Sequence, residues 1–402
     1  MFHYKFLFMY KKIVSSIGIC LISIAAYAQN SNIDQLLSQI EENNKQLQAY
    51  SSFMESKHLK LKSGNNLPDP EAGIYYLPWG DNSAGNYTEM EISQSFEFPT
   101  VYGARKELIG KEQEKMQLEY DALRQEILLK AKKHILEVMY LNKKMAAEQQ
   151  RIQQAKQVYK QIQEMYKKKE VGVLEVNKAK VSWMQEHFKM QNLKNRKKNL
   201  LILLKKLNGG NEVSVSTPEF TNNLAIASID SLWQKKKQKD PTITVLKQKE
   251  QVASQEIEVS KNKTLPDLTA GFNYQGSATS SFSGIYGGIS IPLWNSKNKV
   301  KAAKAQYQYQ QEYSNTKMMD THADFQEKYN NYEVLLDKYS EYQSTMQGLK
   351  SAELLLEAYE LGEISFIEYY MELQFFRQAY DSMLKVENQL RQIKAEILKH
   401  QL

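Results

Sequence analysis

The sequence predicts a mainly α fold: long antiparallel coiled-coil helices with two inserted β-hairpins, arranged as an internal two-fold repeat. Three observations carry this. The 402 residues include only 17 Gly and 8 Pro, too few breakers for a string of ordinary globular domains. Leu67-Pro68-Asp69, Ala72 to Tyr76, Phe98-Pro99 and Tyr166 to Glu175 recur as Leu265-Pro266-Asp267, Ala270 to Tyr274, Ile291-Pro292 and Tyr359 to Glu368. In both copies a segment alternating with period two precedes a long helical one, which in the first copy carries a heptad seam.

Residues 1–28 read as an export signal. Lys11 and Lys12 form a basic start, Ile13 to Ala26 is an apolar run too short to span a bilayer, and Ala26-Tyr27-Ala28 before Gln29 is a cleavage site. Initiation at Met9 would leave a shorter leader of the same kind. Cys20, the only cysteine, lies in this leader. It follows Ile19, where lipid attachment needs a small residue, so no lipid anchor is expected and the mature chain holds no thiol. The formal charge of +7 includes Lys5, Lys11 and Lys12 of the leader, so about +4 remains. Those basic residues are interleaved with Glu and Gln rather than gathered on one face, which argues against nucleic acid as a partner. Mean hydropathy is −0.59 and no apolar run reaches the length of a spanning helix, which excludes a polytopic helical membrane protein.

Repeat 1 covers residues 29–210. Its opening helix is Ile33 to Lys62, followed by a hairpin at about 71–98, a long helix over 102–168, a tip, and a return helix over 173–208. Tyr102 to Lys168 contains no proline and, after Gly110, no glycine. Met145, Ile152, Ala155, Tyr159, Ile162 and Tyr166 mark a coiled-coil seam along it. Such a helix would run roughly 100 Å and must lean on neighbouring helices for stability. The return helix places Leu193, Leu200, Leu204 and Leu207 on one face and stops at Asn208-Gly209-Gly210. Residues 211–240 break the pattern, with a short strand expected at Val213 to Ser216 and a short helix at Ile226 to Lys239, as an equatorial packing insert against the long helices.

Repeat 2 covers residues 241–402. Asp240-Pro241 starts its opening helix, Thr242 to Lys263. A hairpin at about 268–293, a long helix over 297–359, a tip and a return helix over 365–400 follow. The return carries Phe366, Tyr370, Leu373, Phe376, Tyr380 and Leu384 on one face. Pro99 to Tyr166 and Pro292 to Tyr359 are both 67 residues, whereas Pro68 to Pro99 is 31 and Pro266 to Pro292 only 26. A fixed spacing beside a drifting one is what a rigid rod next to a variable loop gives.

In the hairpins, Thr88, Met90, Ile92, Gln94, Phe96 and Phe98 alternate with Glu89, Glu91, Ser93, Ser95 and Glu97. Leu268, Ala270, Phe272 and Tyr274 alternate with Thr269, Gly271, Asn273 and Gln275, and Ile285, Gly287, Ile289, Ile291 and Leu293 continue the style. Pro78 to Asn86 and Gly276 to Gly284 are the loops. These strands suit either a transmembrane barrel or a soluble four-stranded sheet packed on the helices. One chain supplies about four strands and known barrels need at least about eight, so in lipid several protomers must share one closed barrel.

The residues now resemble a family. Over essentially the whole mature chain, the duplication with both proline boundaries is similar to the TolC-like outer-membrane efflux proteins. Their motif is an aromatic, Gly, a small residue and an acid at three-residue steps. Tyr359, Gly362, Ser365 and Glu368 fit it fully; Tyr166 and Glu175 fit it, with Lys169 at the Gly position and Gly172 at the small one. The resemblance implies a homotrimer forming a twelve-stranded outer-membrane β-barrel and a periplasmic α-helical tunnel. It also implies a periplasmic adaptor (membrane fusion) protein and an inner-membrane transporter of RND type as partners, and outer-membrane lipid around the barrel. Leu67-Pro68-Asp69-Pro70 and Gln94 to Phe98 look most like the cobalt–zinc–cadmium and copper–silver efflux subgroup.

Site residues follow from the resemblance. Lys169, Glu170, Gly172, Gly362, Glu363 and Ser365 at the tips would dock the adaptor, with Gly362 and Gly172 supplying the sharp reversal; an ordinary helical-hairpin turn is the competing reading. Glu175, Tyr359 and Glu368 would form the periplasmic gate and entrance, with Glu368 repeated around the axis as an acidic ring. Met371 stands where a second carboxylate is common. Glu89, Glu91 and Glu97 would line the barrel lumen, and Pro99 and Pro292 mark the strand-to-helix turns.

No enzyme is expected. His3, His58, His134, His187, His322 and His400 never pair at helical spacing, and no nucleophile elbow, phosphate-binding glycine loop or zinc-protease motif occurs. No cofactor or resident metal is expected; the 15 Met sit mostly at helix-core spacing rather than as a copper relay. A soluble periplasmic coiled-coil adaptor or scaffold without a pore is the second reading.

Overall fold

The computed structural model describes residues 33–79, 85–215, 224–294, 296–348 and 351–402. The expected leader with Cys20 lies outside these residues, as does the Phe366 side chain. The fold is mainly helical. In chain order the elements are α1 (33–43), α2 (Lys45–Ser63), β1 (Glu71–Leu77), β2 (Tyr87–Phe96), α3 (Pro99–Lys167), α4 (Val173–Leu207) and α5 (Ile229–Lys239). Then come α6 (Pro241–Asn262), β3 (Asp267–Gly276), β4 (Ser281–Ser290), α7 (Lys299–Gly348), α8 (Ser351–Glu360) and α9 (Phe366–Ile397). A final 3₁₀ turn spans Lys399–Gln401.

Several boundaries correct the sequence reading. The opening helix is two helices, because Asn44 leaves the helical run. Its Oδ1 accepts from the N–H groups of Gln46 and Leu47 at 3.0 and 3.1 Å, capping α2, and its Nδ2 donates to the Leu207 carbonyl at 2.8 Å. No strand forms at 213–215; Val213 is buried there as a single apolar anchor. The second hairpin loop is shorter than expected, since the Ser277 N–H donates to the Ser280 carbonyl at 2.8 Å and β4 begins at once. Ile291 and Leu293 fall outside β4, which stops where Pro292 has no N–H to offer a ladder.

The chain divides into two compact units, and α3 and α7 contribute to both. One comprises Ala49–Ala122 and Lys236–His322. Here α6 turns Ile243, Val245, Leu246, Val252, Ala253 and Val259 inward, and α3 turns Val101, Ile109 and Met116 inward. Gln248 and Gln255 donate to the Lys111 and Ala104 carbonyls of α3 at 2.9 and 3.1 Å. Asp240 N-caps α6 by accepting from the Thr242 N–H at 3.0 Å. Among the described residues four strands form one antiparallel sheet in the order β1-β2-β3-β4. Glu89 faces Tyr75 and Gln275, and Gly271 faces Tyr286.

The other unit comprises Met1–Gln48, Leu123–Lys235 and Ala323–Leu402. Its core falls into separate clusters. Leu224 and Leu232 pack with Phe325, Tyr332, Leu390 and Ile397, and Tyr332 donates its hydroxyl to the Leu224 carbonyl. Tyr140, Leu141 and Leu384 gather Leu193, Leu200 and Tyr380. Val158, Ile162, Ala179, Tyr369 and Leu373 pack together near the tips. Among the described residues no helix is long and apolar enough to cross a membrane.

Candidate functional site

Partners directly opposite in an antiparallel ladder share a face. The register therefore puts Ile74, Tyr76, Met90, Ile92, Phe96, Leu268, Phe272, Tyr274, Ile285 and Ile289 on one face of the sheet. Tyr75, Glu89, Glu91, Ser93, Thr269, Asn273, Gln275 and Tyr286 occupy the other. Exposure runs opposite to that of a water-soluble sheet. Ile74, Ile285 and Ile289 are 71%, 91% and 66% exposed, while Glu89, Glu91, Ser93 and Asn273 are half-buried. A sheet packed apolar-side-down on the helices is thereby excluded.

The polar face is tied together. Asn273 Nδ2 and Gln275 Nε2 donate to Glu89 Oε1 at 2.6 and 3.3 Å, and Tyr87 donates to Glu89 Oε2 at 3.3 Å. Tyr286 donates to Glu91. Its ring crosses Gly271, where a Cβ would stand 2.5 Å from Tyr286 Cε1. Glu89 and Glu91 thus share one face, as expected. Glu97 does not join them, because β2 ends at Phe96. Its N–H donates to the Tyr102 hydroxyl at 3.1 Å and its carboxylate pairs with Arg105 at 2.5 Å.

The two proline turns differ. Pro99 is the first residue of α3, where its missing N–H costs nothing, and the Phe98 carbonyl accepts from the Val101 N–H at 2.8 Å. Pro292 ends β4, and α7 starts only at Lys299. The Ser296 hydroxyl meanwhile donates to the Pro292 carbonyl at 3.1 Å.

At the tips Lys169, Glu170, Gly172, Gly362, Glu363 and Ser365 are all exposed. The left-handed residue is Lys169 in the first tip (φ 64°) and Gly362 in the second (φ 75°). Gly172 does not make the reversal: it is the extended N-cap of α4, at φ −87° and ψ 171°. Its counterpart Ser365 caps α9 by a reciprocal pair of bonds. Ser365 Oγ accepts from the Glu368 N–H at 3.3 Å, and Glu368 Oε2 accepts from the Ser365 N–H at 2.8 Å. The backbone bond holds the Glu368 carboxyl below its usual range. The motif's small residue and acid therefore have a local structural role here.

Tyr359 stacks on Tyr369 with centroids 5.1 Å apart, and burial pushes its phenol up. A cavity of about 810 Å³ brings Glu175, Tyr359, Gly362 and Ser365 together. Lys168, Met165, Val171 and Ile364 also line it, and the sequence reading missed them. Lys169, Glu170, Gly172, Glu363 and Glu368 do not line it. Only the apolar positions among the missed residues had a signal, as continuations of the helix stripes past the turns. Among the described residues no three His, Asp or Glu side chains converge as a metal-binding group.

No protein-family model matches this chain, and no curated protein matches it in sequence. Solved structures do match. The Campylobacter jejuni CmeC outer membrane channel aligns with a TM-score of 0.74 at 17% identity, covering 92% of this chain and 85% of that one. The Vibrio cholerae outer membrane protein VceC gives 0.70 at 13% identity, covering 92% and 94%. The Neisseria gonorrhoeae MtrE outer membrane channel in its open state gives 0.72 at 13%, covering 92% and 88%. The chain has the fold of these outer-membrane proteins.

Proposed function

We propose that this chain is the outer-membrane exit duct of a tripartite efflux pump, carrying substrates from an inner-membrane transporter and a periplasmic adaptor to the exterior. The observation that carries it is the sheet's face pattern, with one face apolar and exposed and the other lined by Glu89, Glu91, Ser93 and Asn273, as a lipid-facing stave must be. Both outer strands of that sheet are edges, and a spanning sheet can have none, so copies must join. On this reading three chains close a twelve-stranded barrel over a helical tunnel. The exposed tips meet the adaptor, and the cavity with Glu175 and Tyr359 lies at the entrance. The shared fold with outer-membrane channels supports the same reading. An RND-type transporter supplies the work, so the duct needs no catalytic group. The resemblance of Leu67 to Pro70 and Gln94 to Phe98 to heavy-metal efflux proteins makes metal cations the first cargo to test.

Fractionation tests the proposal. The processed chain should sediment with the outer membrane, run as a trimer on unheated detergent gels, and conduct ions in planar bilayers. Release as a monomer with the soluble periplasm would overturn it and leave the scaffold reading.

A further inference from the structure

In the unit that contains the tips, three helices bury charge on stripes whose other positions are mostly apolar. On α3 the buried succession is Leu141, Glu148, Arg151, Ile152, Val158 and Ile162. On α4 it is Ala179, Ser182, Glu186 and Met190, and on α9 Tyr369, Leu373, Arg377 and Leu384. Glu148 and Glu186 are 1% and 0% exposed, and each lies near enough to bias the other's titration. Two carboxylates buried so near each other repel when both are ionised, so the pair favours holding one proton.

The donors show where the proton sits. Glu186 accepts from Lys189 Nζ at 2.8 Å and Arg377 Nη1 at 3.4 Å. Glu148 Oε2 accepts from Arg151 Nη1 at 3.3 Å, but among the described residues no donor reaches the buried Glu148 Oε1. Glu186 is thus the anion and Glu148 the acid. The surrounding charges are committed elsewhere. Arg151 also donates to Asp381 Oδ1 and Oδ2 at 2.9 and 3.1 Å, and Lys144 lies 3.8 Å from Asp381. Arg377 Nη2 donates to Gln154 at 3.0 Å, Tyr369 and Tyr370 act on Arg377, and Tyr380 lies near Arg151. Burial, then the bond to and charge of Glu186, push the Glu148 carboxyl up to about 7 against Arg151 and Lys189. Glu186 stays below its ordinary value, since its bonds from Glu148 and Lys189 and the charges of Lys189 and Arg377 outweigh its burial.

We propose that Glu148 and Glu186 form a proton-held latch joining α3 to α4 and α9: one shared proton keeps the three helices clasped, and its loss sets two buried anions against each other and loosens the joint. The latch does not depend on the chain being a duct. Because the folded state holds this proton more tightly than the unfolded chain, the contribution is full below the ordinary carboxylate range and is lost as pH rises through about 7. Between pH 6 and pH 8 the opening equilibrium should shift roughly tenfold.

The test is amide hydrogen exchange over residues 179–190 and 369–381 of the full chain in detergent, corrected for the intrinsic pH dependence of exchange. The wild type should lose roughly tenfold protection between pH 6 and pH 8. Glu148→Gln, whose amide donates to Glu186 at any pH, should keep equal protection at both. Equal wild-type protection at the two pH values, or an unchanged pH response in Glu148→Gln, overturns the latch. Infrared spectra provide a check without any variant: a neutral carboxylic-acid carbonyl band should be present at pH 6 and fade by pH 8, and its absence at pH 6 overturns the latch as well.

Discussion

Lys169 and Gly362 occupy one left-handed position in two different turns. The residue after each closes the same bond to a carbonyl five residues back: Glu170 N–H to Met165 and Glu363 N–H to Ala358, both at 2.9 Å. One site has the residue the geometry favours; the other places a Cβ there, at a cost of about 1–2 kcal/mol. Lys169→Gly should therefore stabilise the first tip by about 1 kcal/mol, and Gly362→Ala should weaken the second by a similar amount. Exchange protection of the turn amides reads both, since a tip opens locally. Equal protection in Lys169→Gly and wild type would show that the lysine is not strained.

The Ser365–Glu368 bonds separate capping from ion attraction. Ser365→Ala should destabilise the start of α9 by roughly 1 kcal/mol, seen as faster exchange over 366–370. Because the folded-state carboxyl of Glu368 lies below its ordinary value, its contribution is present above the ordinary carboxylate range and lost as pH falls through the folded value. Glu368→Gln retains a cap acceptor but no charge, so at neutral pH it should loosen the helix start only as far as protonation of Glu368 does, and should remove the pH dependence. If three Glu368 carboxylates also form an entrance ring, the same variant lowers cation preference in bilayers; unaltered selectivity leaves Glu368 as a cap alone.

The two sheet faces should answer oppositely to one charge. Ile285→Lys places an ammonium on the apolar face and should cost about 2–4 kcal/mol if that face meets the bilayer midplane. Ser93→Lys, on the polar face, should be tolerated. The yield of heat-sensitive oligomer in outer-membrane fractions measures both. Similar yields from the two variants would contradict the face assignment.

Arg377 is the guanidinium beside a fully buried carboxylate. Arg377→Met should destabilise the chain by about 3–5 kcal/mol, because Glu186 keeps its burial and loses a cation. Combining Arg377→Met with Glu186→Leu should recover much of that loss. Thermal unfolding in detergent, compared across the single and double variants, supplies the coupling.

The helices were legible because heptads and missing breakers act over many residues, and Pro99 and Asp240-Pro241 mark starts by local chemistry. The sheet faces were legible because period two is strict. What escaped depended on single contacts. Asn44 splits a helix through its side-chain bonds, and nothing in its spacing separates it from Asn43. Glu97 continues the alternation on paper, yet Tyr102 and Arg105 take it out of the strand. Glu148, Arg151, Glu186 and Arg377 were passed over because a seam is read from apolar residues. A charge standing at a heptad core position was the available signal.

The pairing of β2 with β3 sets the order in which this molecule can be completed. Glu89 meets Gln275, 186 residues later, so the first ribbon must remain half-made while nearly half the polypeptide is still being threaded out. During that wait the margin of Tyr87–Phe96 is bare and sticky, and the neighbouring helices, whose contacts are local, have every chance to form first. Synthesis that stops short of Asp267 would strand the first ribbon without its mate and invite it to capture a foreign one.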